Sequence, residues 1–175
     1  SATAALLERA AVAEDAARAV AGVTNSEGAE AGFGRVEVVL VTSAGFAGRA
    51  VRTSHSVSAV ALAGSGTGMQ RDYDYHAAVH LADLDDPAAI GRHAGERVVR
   101  RLDPARPRTA RLPVVYDPRV SGGLVGHLAG AINGASVARG TSFLKDRMGE
   151  RIFAPGIVVR DDPRRRRGLR SRVFD

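Results

Sequence analysis

The stretch "VRTSHSVSAVALAGSGTGMQRDYDYHAAVH", Val51 to His80, decides the fold. Its first half belongs to a long extended segment from about 46 to 62, which the glycine-rich "GSGTG" (Gly64 to Gly68) turns back into residues 69–82. In the returning segment Asp72, Asp74, His76, Ala78 and His80 alternate with Tyr73, Tyr75, Ala77, Val79 and Leu81. A period of two marks a strand, not a helix. Upstream, "RVEVVLVT" (35–42) is rich in β-branched residues and reads as another strand, with "SAG" as a hairpin turn. Together these segments predict a three-stranded antiparallel meander.

Helices flank it. Residues 3–21 place Leu6, Ala10, Ala13, Ala17 and Val20 at helical spacing, and the run 23–34 ("VTNSEGAEAGFG") that follows reads as loop. Asp86 suits an N-cap and Pro87 the first helical position, opening a helix with Ile90, Ala94, Val98 and Leu102 as its apolar stripe. The Pro- and Arg-rich "DPARPRTA" (103–110) marks a boundary. Beyond it come an expected strand at 111–116, a helix opened by Asp117 and Pro118, and an expected last strand in "GIVVR" (156–160). The fold class is α+β: an antiparallel meander with flanking helices (1–107), then a strand–helix segment (108–175) beginning a second domain.

The composition constrains the rest. Hydrophobic residues make up 45% of the 175 but aromatics only 5%, with no Trp, so the core is expected to be mostly Val, Leu and Ala. Without cysteine there is neither a disulfide framework nor a thiolate ligand. No apolar run reaches the roughly 20 residues of a membrane helix, and a cytoplasmic setting is the default expectation. The net charge of +6 is local: six arginines between Arg164 and Arg172 account for all of it. They could bind an anionic partner through Arg164, Arg165, Arg166 and Arg167, yet no aromatic residue interleaves them for base stacking, which favours a solvated loop.

Few residues carry an obvious chemistry. His76 and His80 have the spacing of a helical metal pair, but on a strand they stand about 13 Å apart, which favours a solvated strand face. "GSGTG" lacks the Lys-Ser/Thr of a phosphate-binding loop. His55 sits among hydroxyl residues and reads as a hydrogen-bonded strand histidine. The unusual feature is "GGLVGHLAGAINGAS" (122–136), where Gly122, Gly126, Gly130 and Gly134 recur every fourth residue. Each interior glycine costs a helix about 1 kcal/mol relative to alanine. The stripe therefore predicts a groove for another main chain, with Leu124, Leu128 and Ile132 anchoring the adjacent side. That groove is either packed by its own chain or open to a peptide or partner. His127, Asn133, Arg139, Thr141 and Ser142 are the polar residues expected near it.

The segment "LVGHLAGAINGASVARGTSFLKDRMGERI" resembles the signature region of the TldD/PmbA family, in its PmbA (TldE) branch. "VRTSHSVSAVALAGSGTGMQRDYDY" and "DDPRRRRGLRSRVFD" are similar to the same branch, in the same order. The resemblance implies an intracellular bacterial peptidase family, historically named modulators of DNA gyrase. In it a TldD-type and a TldE-type subunit pair to degrade or trim peptides. It further implies that this chain, which opens at Ser1 and not Met, covers a central domain and the start of a C-terminal one.

TldD-type subunits carry HExxxH in this region. Aligned back from Gly140, that motif falls on "VGHLAG", so Val125 and Gly130 stand where the two ligands would be and Gly126 where the glutamate would be. The resemblance thus implies no catalytic or metal-binding residue here, with zinc expected only in a TldD-type partner. The expected function is a non-catalytic subunit of a cytoplasmic heterodimer that contacts unfolded peptide. Neither a membrane nor nucleic acid is an expected partner. The alternative is a nucleic-acid- or gyrase-interacting modulator acting through Arg164 to Arg172.

Overall fold

The computed structural model describes residues 2–174. Helix α1 (Ala2–Arg18) leads into β1 (Val23–Val41), β2 (Ala47–Ala63) and β3 (Gln70–Ala78), followed by α2 (Pro87–Val99), α3 (Pro118–Ala131) and α4 (Gly134–Ala138). Short 3-10 turns fall at Gly66–Gly68 and Leu81–Asp83. By contacts the chain divides into Ser1–Arg106 with Asp162–Asp175, and Pro107–Asp161.

The three strands form an antiparallel sheet in the order β1-β2-β3, the meander read from the sequence. One expectation fails: 23–34 is not loop but the first half of β1, paired with β2 from Val23↔Ala63 to Gly34↔Ser54. Its Gly, Ser, Asn and Thr residues favour turns locally, but two register shifts before Gly28 absorb them. The Thr24 hydroxyl donates to the Gly64 carbonyl at 3.1 Å and the Ser26 hydroxyl to that of Val60 at 3.1 Å. Cross-strand pairing outweighs local propensity here.

β3 stops opposite His55. Past that point β1 and β2 continue alone as a two-stranded arm, Gly34–Val41 against Ala47–Ser54. A turn from Thr42 to Phe46 closes it, with Gly45 at a φ of 87° that disfavours any side chain.

Both flanking helices cover one face of the other end of the sheet. Alternate residues of β2, Val57, Ala59, Ala61 and Ala63, are buried against Ala13 and Ala17 of α1 and Ile90, Ala94 and Val98 of α2. Valine and alanine predominate as expected, but leucine stays at the margin, where Leu84 and Leu102 pack on the cluster. What brings the helices together is the absence of side chains. A Cβ at Gly91 would land on the Ala13 carbonyl, and one at Gly95 would sit 2.8 Å from the Ala17 carbonyl oxygen. The cap of α2 is as read: the Asp86 carboxylate accepts the Ala88 N–H.

The alternation in β3 is real, but its phase is opposite to the expected one. Asp72 and Asp74 are buried while Tyr73 and Tyr75 are exposed and stacked, ring centroids 6.1 Å apart. The acids face the helix layer, where each has a cationic or titratable partner. Arg101 donates to Asp72 at 3.1 Å, the Tyr73 N–H donates to the same carboxylate at 2.8 Å, and His93 Nδ1 lies 3.3 Å from Asp74. A buried carboxylate is tolerated only with such partners.

In the second unit the Asp117 cap of α3 is present, its side chain accepting the Arg119 N–H. The strands expected at 111–116 and 156–160 are not formed. Their β-branched residues find no strand partner among the described residues, and Val114, Val115 and Val158 are exposed. The glycine-rich helix also ends earlier than read. It stops at Ala131, because the Asn133 side chain accepts the N–H groups of Ala135 and Ser136 and so starts the separate helix α4 at Gly134. No helix among the described residues is long and apolar enough to cross a membrane.

Gly91→Ala is expected to lower the stability of the first unit by about 1–3 kcal/mol, because backbone, not a movable side chain, occupies the space. A denaturant midpoint at or above the parent's would contradict this packing.

Candidate partner- and peptide-contact surface

The glycine face of α3 is bare. At Gly122, Gly126 and Gly130, and at Gly134 in α4, an added Cβ would meet nothing within 4 Å. Among the described residues, none packs against this face. Nor is the neighbouring stripe anchored as expected: Leu124 and Ile132 are exposed, and only Leu128 is half-buried. Val120 and Val125 are exposed as well, so α3 presents main chain and aliphatic side chains together.

The expected polar residues fall into two groups. Asn133 caps α4; the Thr141 hydroxyl donates to the Ser136 carbonyl at 3.2 Å; and buried Ser142 donates to the Ala131 carbonyl at 2.6 Å while accepting the Leu144 N–H. These three hold the backbone after α3 in place. His127 and Arg139, by contrast, are exposed, with Arg139 at the C-cap of α4. They are the side chains of this set placed to reach another molecule.

Zinc does not fit this helix. Val125, Gly126 and Gly130 offer no ligand or water-activating atom, and His127 is the only imidazole in the turn. Among the described residues no group of three or more His, Cys, Asp or Glu side chains is arranged to hold a metal ion. His76 Nδ1 accepts the Asp85 N–H at 3.0 Å.

The arginine-rich segment belongs to the first unit and is partly tied down. Arg167 pairs with Asp83 at 2.6 Å, Ser171 donates to the Arg165 carbonyl, and Phe174 packs edge-on against Phe46. Arg164, Arg165 and Arg166 are exposed.

Two features escaped the sequence reading. One is the buried Asp72–Arg101 and Asp74–His93 pairs. The other is the outer sheet face they imply, where Ser56, Ser58, Val60, Arg71, Tyr73 and Tyr75 border an open depression of about 450 Å³. The phase of β2 was the available signal, since its buried Val57, Ala59 and Ala61 sit opposite His76, Asp74 and Asp72. His55 also differs from expectation: its Nδ1 is buried without a hydrogen-bond partner, and the ring lies 5.0 Å from that of Phe33.

Comparison with known proteins places both units. Residues 2–102 match the PmbA/TldA metallopeptidase central domain and residues 109–175 the PmbA/TldA metallopeptidase C-terminal domain. The chain is 35% identical over 170 residues to the metalloprotease PmbA of Escherichia coli, covering 97% of this chain but 38% of that protein. A PmbA homologue of Haemophilus influenzae is 30% identical over 87% of this chain and 34% of its own length. Among solved structures, a Bacteroides thetaiotaomicron protein described as a candidate modulator of DNA gyrase superposes with a TM-score of 0.77 at 30% identity, over 86% of this chain and 34% of that one. A Thermotoga maritima protein of the same description shares the fold at a TM-score of 0.86 and 21% identity, over 97% and 39%.

Because the face is open, Gly126→Ala is expected to be neutral or to stabilise α3 by up to about 1 kcal/mol. Thermal melting followed by far-ultraviolet circular dichroism reads this directly. A clear loss of helix would show that the face is covered within the chain.

Proposed function

Since the chain belongs to the PmbA/TldA metallopeptidase family, we propose that it serves as the non-catalytic, peptide- and partner-contacting subunit of a two-component peptidase in the cytoplasm. The observation that carries this reading is the helix α3: the positions that the resemblance assigns to metal ligands and catalytic glutamate hold Val125, Gly130 and Gly126. A glycine face with nothing within 4 Å suits close approach by a main chain. A peptide held through its backbone would be bound with little sequence preference. The catalytic zinc would belong to a TldD-type partner, and His127 and Arg139 are the side chains best placed for contact with partner or peptide.

Purified alone, the chain is expected to hold no stoichiometric zinc and to cleave no unfolded peptide, with cleavage appearing on addition of a TldD-type subunit. Gly126→Leu should lower that reconstituted activity at least tenfold while leaving the melting temperature of the isolated chain within a few degrees. Chelator-sensitive cleavage by the chain alone would overturn the reading.

A second reading draws on the gyrase description of the structural relatives and on the exposed Arg164, Arg165 and Arg166. It requires affinity for DNA that falls steeply with salt and disappears when these three become alanine. Absent or salt-insensitive binding in a gel-shift assay removes it.

A further inference from the structure

The arginine-rich stretch reads from its sequence as a solvated loop, yet it is folded. Between Asp162 and Arg172 the chain turns back on itself. The Arg165 N–H donates to the Asp162 carbonyl at 3.3 Å, the Gly168 N–H to that of Arg165 at 3.2 Å, and the Ser171 N–H to that of Gly168 at 3.2 Å. The Arg172 N–H then closes the loop on the Pro163 carbonyl at 2.7 Å. A loop whose ends meet and whose backbone bonds inward is a compact unit, not a tail. Two positions show that its shape is imposed. Arg167 has a φ of 57°, which a residue with a side chain rarely adopts. A Cβ at Gly168 would collide with the Ser171 hydroxyl, which donates to the Arg165 carbonyl at 2.6 Å.

This loop is anchored to the first unit at two separate places. Arg167 pairs at 2.6 Å with Asp83, in the turn between β3 and α2. Phe174 meets Phe46 at the tip of the two-stranded arm, edge-on, with ring centroids 5.5 Å apart. Gly48 makes room for both rings: a Cβ there would lie 2.8 Å from the Phe46 ring and 3.1 Å from that of Phe174. The anchors belong to different parts of the sheet. Asp83 follows β3, which ends opposite His55, whereas Phe46 closes the turn of the arm, past the end of that pairing. They also differ in kind. An exposed ion pair is screened by salt, and an aromatic contact is not.

We propose that residues 162–174 are a strap that ties the tip of the arm to the turn before α2, with the Arg167–Asp83 pair as its latch. Opening the latch releases the arm while the helix-covered part of the sheet stays folded. Because one compact loop makes both contacts, a change at either anchor is felt at the other. The inference uses contacts within the first unit alone and stands or falls independently of the function proposed above.

Amide hydrogen exchange in the full chain reads this coupling. The reporters are the Thr42 N–H, which donates to the Phe46 carbonyl at 2.9 Å, and the Gly45 N–H, which donates to the Thr42 carbonyl at 3.1 Å. Exchange at both should quicken about tenfold in Phe174→Ala. Gly168→Ala, whose added methyl meets the loop and not the arm, should quicken them by a similar factor. Asp83→Asn, at the other anchor, should quicken them about threefold, and should add nothing once Phe174 is alanine. Raising salt from about 0.05 M to about 0.5 M should quicken them in the parent but not in Asp83→Asn. Melting temperatures of these variants should stay within a few degrees of the parent's. Unchanged exchange at Thr42 and Gly45 in Gly168→Ala, an equal salt response with and without Asp83, or an Asp83→Asn effect that survives in full beside Phe174→Ala would each overturn the proposal.

Discussion

The first unit depends on how closely two helices can approach. α1 offers Ala13 and Ala17, α2 offers Gly91 and Gly95, and the two main chains meet with almost nothing between them. That proximity explains the rest of the interior. Helices set so close leave room above the sheet for small side chains, and β2 supplies alanine at three of its four buried positions. The largest fully buried side chains are valines, Val57 and Val98. Stability must then come from close packing and many short contacts more than from large apolar surfaces.

Much of this was legible in the sequence because the signals were periodic. The Asp86–Pro87 start locates the first turn of α2 and Ile90, Ala94 and Val98 its buried stripe, though the helix ends at Val99, before the Leu102 that the stripe included. The two turns locate the meander. What was not legible is instructive. The glycines at 91 and 95 sit inside an ordinary amphipathic pattern, so nothing local distinguishes a helix crossing from a chance pair. The first half of β1 has a loop's composition and becomes a strand only because β2 lies beside it. Residues 111–116 and 156–160 have a strand's composition and lack such a neighbour, which shows the same rule from the other side.

The candidate site divides in the same way. The glycine spacing in α3 drew attention to a surface that the structure leaves open, and that part followed from the sequence. Which polar residues were free did not follow, because Asn133, Thr141 and Ser142 each had a nearby backbone group to satisfy. Hydroxyl and amide side chains beside a helix end are as readily caps as contacts. In β3 the difference is one of phase: by hydrophilicity alone the face of Asp72, Asp74 and His76 reads as solvated. Arg101 and His93, reached only through the turn into α2 and along it, allow the reverse.

The β1–β2 pair joins two mechanical regimes in one ribbon. Near Val57 to Ala63 it is clamped beneath two helices, and its hydrogen bonds can open only when the whole layer does. Beyond His55 the same two strands lose both β3 and the helical cover. That portion is held by its own two-stranded pairing and, at the tip, by Phe174 against Phe46. The ribbon thus resembles a cantilever in its support, mounted under two helices at one end and braced at the other by a single aromatic contact.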